Sequence, residues 1–347
     1  MNCNVLGVAL AATLMIPPVP VSASTILPQE WESYRTAYIS ETGRVVDYAN
    51  NSISHSEGQG YGLILSVLAD DRATFERVWD FTRTELMVRE DGLAAWRWEP
   101  EADPKITDPN NATDGDILIA YGLVLAGAAW DQPAYTDIAA GMVRTIGHNL
   151  LVAVDELPVI LPGAVGFVSP ETGAVVLNPS YWVFETIPIF AEIDPTINWN
   201  AVTESGLDLL ERAAGTKTGL PADWVVLEGD GIVPAENFPP EFGYNGIRVP
   251  LYLMRAGLDP AYLEPFRANA DETGLRKVDV VTGEVLEPIS EPGYRLIQAA
   301  MECTLSDKPI PPELAQMQAT SYYAATLQLL ALDHLRRNRP DCLEKGP

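Results

Sequence analysis

The chain has 347 residues, 47% hydrophobic and 20% charged, and its 48 Asp and Glu against 22 Lys and Arg give a formal net charge of −26. That balance excludes an intrinsically disordered chain, and the length suffices for a large packed core in one domain. The charge excludes nucleic acid as a partner, which requires cations set against phosphates; it either attracts a polycation such as chitosan or simply keeps the protein soluble.

Residues 1–23 contain no Asp, Glu, Lys or Arg, and an apolar run from Val5 to Ile16 stops at Pro17 and Pro18. The run is shorter than the roughly 20 residues that cross a bilayer. Val21-Ser22-Ala23 offers the small residues that precede signal cleavage, so 1–23 is expected to be a secretory signal peptide. The remainder, 24–347, then forms one secreted or periplasmic domain with no membrane span. Cys3 precedes the apolar run and is badly placed to carry a lipid.

Apolar residues recur at helical spacing over 29–40, 59–69 and 73–88. Glu57 opens the second stretch within Ser56-Glu57-Gly58-Gln59-Gly60-Tyr61-Gly62. Two readings stand side by side. The small residues let a polymer approach the backbone while poor hydration raises the Glu57 pKa, or Glu57 merely starts a helix against its N-terminal dipole. A dinucleotide loop is excluded, because no strand precedes the glycines and the third falls one residue early.

Trp96 and Trp98 alternate, so in an extended segment one faces a cleft and the other the core. Residues 108–116 are rich in oxygen ligands but lack the glycine and terminal acid of a calcium loop. Helices follow over 114–130 and 133–150. Asp114 and Asp116 open the first of these; capping accounts for at least one, and the other is free to bind a hydroxyl or water.

Further on, 166–168 and 174–177 read as a hairpin around Pro170-Glu171-Thr172-Gly173, and 277–281 with 284–287 as another around Thr282-Gly283. Helices are expected over 200–214, 244–256, 292–303 and 319–338, with weaker ones near 181–190 and 260–269. So many helices with short connections suit a toroid of helical hairpins.

His55, His148 and His334 are too scattered to form a metal-ligand set. A Gly-x-Ser-x-Gly elbow and a phosphate-binding loop are both missing from the sequence, so neither metal nor cofactor is expected. Cys303 and Cys342 remain after signal removal, either as a disulfide or as two buried thiols.

Five segments, 56–62, 112–120, Asn178-Pro179-Ser180-Tyr181-Trp182, 244–251 and 322–329, resemble glycoside hydrolase family 8 in content and order. Ala112-Thr113-Asp114-Gly115-Asp116-Ile117-Leu118-Ile119-Ala120 resembles that family's signature. The resemblance implies a mainly α fold, an (α/α)6 barrel with small β-hairpin decorations, forming a single catalytic domain over 24–347. It also implies inverting cleavage of a β-glucan such as cellulose.

By position, Glu57 is similar to the family's general acid and Asp114 to the aspartate that contacts the sugar at the cleavage site. Tyr181 and Arg248 match residues around that site, and Trp96 matches a stacking tryptophan. Overall the chain resembles endoglucanases encoded with bacterial cellulose-synthesis machinery, and it is expected to act as a monomer.

One departure stands out. The common subgroup takes its general base from the aspartate of Tyr-Asp-Ala-x-Arg, whereas this chain reads Tyr244-Asn245-Gly246-Ile247-Arg248. An amide orients water but does not accept its proton near neutral pH. Asn245 is therefore expected to bind; resemblance to another subgroup of the family, which also has asparagine there and takes its base from a glutamate on an inserted loop, makes Glu228, Asp230, Glu236 and Glu241 candidates for the base, with Asp114 the alternative.

Overall fold

A computed structural model describes residues 24–343; the expected signal peptide lies outside the described residues. Among the described residues there are eleven α-helices. They are α1 Pro28–Tyr38, α2 Ser56–Leu68, α3 Arg72–Phe81, α4 Thr113–Ala129, α5 Pro133–Asn149 and α6 Ile187–Ile193, followed by α7 Trp199–Ala213, α8 Arg248–Arg255, α9 Glu264–Ala268, α10 Pro292–Ser306 and α11 Tyr322–Asn338.

The sequence spacing located these helices because α3, α5 and α7 each bury a single face; in α7 that face carries Val202, Leu209, Leu210 and Ala213. By contrast α2, α4 and α11 are buried nearly all round, which places them inside the body. α2 packs on α4, α4 on α5 and α10 on α11, and α11 returns to α1 and α2. The fold is the expected mainly α (α/α)6 barrel. Among the described residues no helix is long and apolar enough to cross a membrane.

The weaker helical expectations resolve into short pieces. Two single 3-10 turns, Pro179–Tyr181 and Phe184–Thr186, precede α6, and another, Pro260–Leu263, precedes α9. The expected hairpin around Thr282-Gly283 is present, with Gly274–Asp279 antiparallel to Val285–Ile289 and Gly283 at φ 76°.

The other expected hairpin is also present, as a short one: Val168 bridges Val175, and the Ser169 and Val176 N–H groups donate to the Ala174 and Phe167 carbonyls, both at 2.8 Å. On its other edge Val176–Leu177 pairs with Val225–Glu228, which also pairs with Gly231–Pro234. Leu177 and Val225 are both fully buried, so this added pairing carries the strand into the core. An unexpected hairpin joins Leu151–Val154 to Leu157–Ile160. Its turn residues, Asp155 and Glu156, both take positive φ without the glycine that usually signals such a turn.

Candidate active site

The site begins where α2 meets α4. A Cβ added to Gly60 would stand 2.5 Å from Leu118 Cβ, and one on Gly115 only 2.1 Å from Ser56 Oγ and 2.7 Å from the Glu57 nitrogen. These glycines therefore let two inner helices touch, a packing role that corrects the expectation of room for a polymer. Their contact sets the first turns of α2 and α4 side by side, with Asp114 buried and Glu57 partly exposed.

A small antiparallel sheet braces this corner. Ser54–His55 pairs with Arg97–Trp98, which pairs with Ile106–Asp108. His55 caps α2 by accepting from the Gly58 N–H through Nδ1 at 3.0 Å, while Nε2 faces Asp47 at 3.8 Å. Burial works against the charged imidazole, but Asp47 and Glu57 outweigh it and raise its pKa. Glu57 thus occupies the helix start, as one expectation had it, and also faces the cavity, as the other required.

Arg248, fully buried at the start of α8, gathers the acids. Its Nη1 donates to Glu57 Oε2 at 2.7 Å and to Asp114 Oδ2 at 2.9 Å. Nη2 donates to Ser180 Oγ at 2.7 Å and to Asn245 Oδ1 at 3.2 Å. Sharing one nitrogen limits Glu57 Oε2 and Asp114 Oδ2 to a separation of about 5.6 Å at most. The Tyr181 ring lies 6.0 Å from the guanidinium carbon, and burial together with Asp114 holds its phenol protonated.

Burial raises the pKa of Glu57, opposed by Arg248 and reinforced by Asp114. A carboxyl that keeps its proton beside a cavity is what a general acid requires. The cavity, about 400 Å³, is lined by Glu57, His55, Tyr244, Asn245, Tyr322 and Tyr323 among others.

Asp114 and Asp116 do not cap α4; the cap residue is Ala112, without a side-chain bond. Asp114 turns to the Gly115 N–H and Arg248. Asp116 is fully buried and accepts from the Ala94 N–H at 2.8 Å and Asn111 Nδ2 at 2.9 Å, tying 94–96 to the helix start. Burial pushes its pKa up to about 7.

Both tryptophans are half-buried, and neither is among the residues lining the cavity beside Glu57. Trp98 packs on Phe81 under Arg44 at the margin of the core, whereas Trp96 has its Nε1 on Asp108. The Trp96 carbonyl accepts from the Ser56 N–H, so its segment lies directly against the residue preceding Glu57.

Of the loop acids, Glu241 is engaged by Lys277 at 2.8 Å, while Glu228, Asp230 and Glu236 are exposed and make no hydrogen bond to the Arg248 cluster. The acid that does reach Asn245 was not singled out from the sequence. Asp223 Oδ1 accepts from the Gly243 and Gly246 N–H groups, both at 2.9 Å. Its Oδ2 accepts from Asn245 N at 3.2 Å and Nδ2 at 3.3 Å.

Asp223 sits beside Trp224, which packs edge-on against Tyr181. An acid in Pro221-Ala222-Asp223-Trp224 carries no local motif, and only folding brings it to Asn245. A possible metal grouping of Cys303, Asp341 and Cys342 is occupied otherwise, because the two sulfurs form a disulfide.

The profile of glycosyl hydrolases family 8 matches residues 3–336. A probable endoglucanase of Novacetimonas hansenii is 35% identical over 316 residues, covering 89% of this chain and 90% of its own. The crystal structure of an endoglucanase from Klebsiella pneumoniae, a family 8 glycosyl hydrolase, superposes with a TM-score of 0.80 at 33% identity, over 90% of this chain and all of its own. An endo-β-1,4-glucanase from Acetobacter xylinum gives 0.81 at 32% identity, over 90% of this chain and 99% of its own. The clustering of Glu57, Asp114, Tyr181 and Arg248 thus occurs on a matching fold with matching sequence, and the chain belongs to glycosyl hydrolases family 8.

Proposed function

We propose that the protein is an inverting endo-β-1,4-glucanase that hydrolyses cellulose or a related β-glucan, with Glu57 as the general acid. The observation that carries this reading is Glu57 itself: partly buried, with a raised pKa, at the wall of a cavity and held by Arg248. The names of the relatives support the glucan, and Tyr244 and Tyr323 give the cavity aromatic surface for sugar rings. Asp114, Tyr181, Trp96, Asn245 and Arg248 then hold the sugar and the water at the cleavage point. No cofactor is needed.

Inversion requires two carboxyls about 6.5–9.5 Å apart, so that a water fits between them. Asp114 Oδ2 and Glu57 Oε2, bound to one nitrogen, lie closer than that, which suits a sugar-contacting, charge-tuning role for Asp114 better than that of base. Export to the periplasm or beyond agrees with the apolar leader and with the Cys303–Cys342 disulfide, a bond favoured in oxidising compartments. The link to cellulose-synthesis machinery rests on the resemblance of the motifs, and a monomer satisfies the site.

The test is hydrolysis of carboxymethylcellulose, mixed-linkage glucan, xylan and chitosan by the mature protein. Reducing ends from the two glucans are expected, and release from chitosan alone would replace the glucanase by a chitosanase. Asn245 favours one further reading, a glycan-binding accessory without turnover. Oligosaccharide affinity with no product after long incubation would establish it.

A further inference from the structure

We propose that Asp223 is the proton acceptor of the reaction, working on a water held by the Asn245 amide. The proposal rests on the hydrolase reading above. Four observations carry it. Position 245 is an amide and accepts no proton near neutral pH. Asp114 and Glu57 bind the same guanidinium nitrogen through Oδ2 and Oε2, which holds that oxygen pair below the roughly 6.5–9.5 Å that inversion uses. Of the 228–241 acids, one is consumed by Lys277 and three are exposed away from the Arg248 bonds. Asp223 alone among these carboxylates bonds to the Asn245 side chain.

Its setting suits a base. All four of its hydrogen bonds come from uncharged amide N–H groups, and the two on Oδ2 are long, 3.2 and 3.3 Å. Without a cation to neutralise it, and 7% exposed, the carboxylate has its pKa raised by burial, against the pull of those amides. Glu57 and Asn245 occupy different terminal nitrogens of Arg248, and Asp223 lies one amide further on. The acceptor is thus separated from the acid by the whole Arg248 guanidinium and the Asn245 amide, rather than by one shared nitrogen.

In the step itself the water oxygen bonds to the anomeric carbon as its proton passes to Asp223 Oδ2. The glycosidic C–O bond breaks, and the leaving oxygen takes the proton of Glu57. Atoms and charge balance, and the site ends with Asp223 protonated and Glu57 ionised. The Asp-to-Asn exchange at 245 is thereby offset by an acid one hydrogen bond behind it.

Three proteins test the proposal: wild type, Asp223→Asn, and the exchange variant Asp223→Asn with Asn245→Asp. In Asp223→Asn, kcat on mixed-linkage glucan should fall about 10²–10⁴-fold with KM little changed, the usual loss when a general base is removed. Azide should restore cleavage and give the inverted glycosyl azide. The exchange variant keeps one carboxyl and one amide in the pair and should recover activity with its base now at 245, which separates lost chemistry from a disturbed loop. Asp223→Asn within tenfold of wild type, or inactive in both variants without azide rescue although oligosaccharide still binds, would overturn the assignment. An inert wild type would overturn the hydrolase reading itself.

Discussion

At Arg248 one guanidinium sets two carboxylates against each other, and the pKa of Glu57 records the outcome. Burial and Asp114 raise it; Arg248 and His55 lower it. A general acid must be protonated to act, so activity is present below this pKa and is lost as pH rises through it, and a raised value carries the active range upward. Glu57→Gln should cut kcat about 10²–10⁴-fold while oligosaccharide binding survives, because the amide keeps shape and hydrogen bonds but delivers no proton. Retention of most activity would remove Glu57 from the role.

Asp114→Asn removes a negative charge that favours the protonated Glu57. The alkaline limb of kcat/KM should therefore move to lower pH, and an unmoved or upward-shifted limb would show that the two carboxyls are not coupled.

Helices α2 and α4 convert small residues into active-site geometry. Gly115 has no space for a methyl group: the added carbon would meet Ser56 Oγ at 2.1 Å and the backbone of Glu57 at 2.7 Å. Gly115→Ala must push the two helices apart at the point where Glu57 and Asp114 are set. Overpacking of this kind costs about 1–3 kcal/mol. A lower denaturant midpoint and a lower kcat should appear together. Gly141→Ala in α5 is the control, since nothing lies within 4 Å of its added carbon and replacing a helical glycine gains about 0.5–1 kcal/mol. Unchanged kcat in Gly115→Ala would mean that the contact does not position Glu57.

The helices themselves were legible because each element writes its own period into the chain: expected 133–150 is observed as Pro133–Asn149, and 200–214 as Trp199–Ala213. Asp116 was less legible. Its acid beside an apolar run reads as a cap, but the partners it takes, Ala94 and Asn111, are brought to it by a neighbouring segment. Val176–Leu177 is legible by half: its bonds across the nearest turn follow from the local pattern, whereas its second partner pairs Leu177 with Val225, 48 residues further on.

The whole barrel depends on joining its ends. Arg336 of α11 donates to both oxygens of Glu30 in α1, at 2.7 and 2.8 Å, and Thr25 bonds to Asp333. Cys303 in the last turns of α10 bonds to Cys342, just beyond α11, with both residues buried. Sequence could offer the pair without deciding between disulfide and free thiols, because only the packing of α10 on α11 brings the α-carbons to 6.0 Å.

Closing a loop with a sequence separation of 39 removes chain entropy from the unfolded state worth about 4 kcal/mol. The bond lies beyond the C-terminal end of α11, whereas Tyr322 and Tyr323 line the cavity from its N-terminal turn. At 1.5 Å per residue the two ends are separated by roughly 24 Å. Stability and catalysis should therefore part company. In Cys303→Ser with Cys342→Ser the denaturation midpoint should fall and become indifferent to dithiothreitol, which lowers the wild-type midpoint, while kcat at 25 °C stays near wild type. A midpoint equal to that of the oxidised wild type would show that the ring closes without the bond. A large loss of kcat in folded protein would show that strain at the far end of α11 reaches the acid.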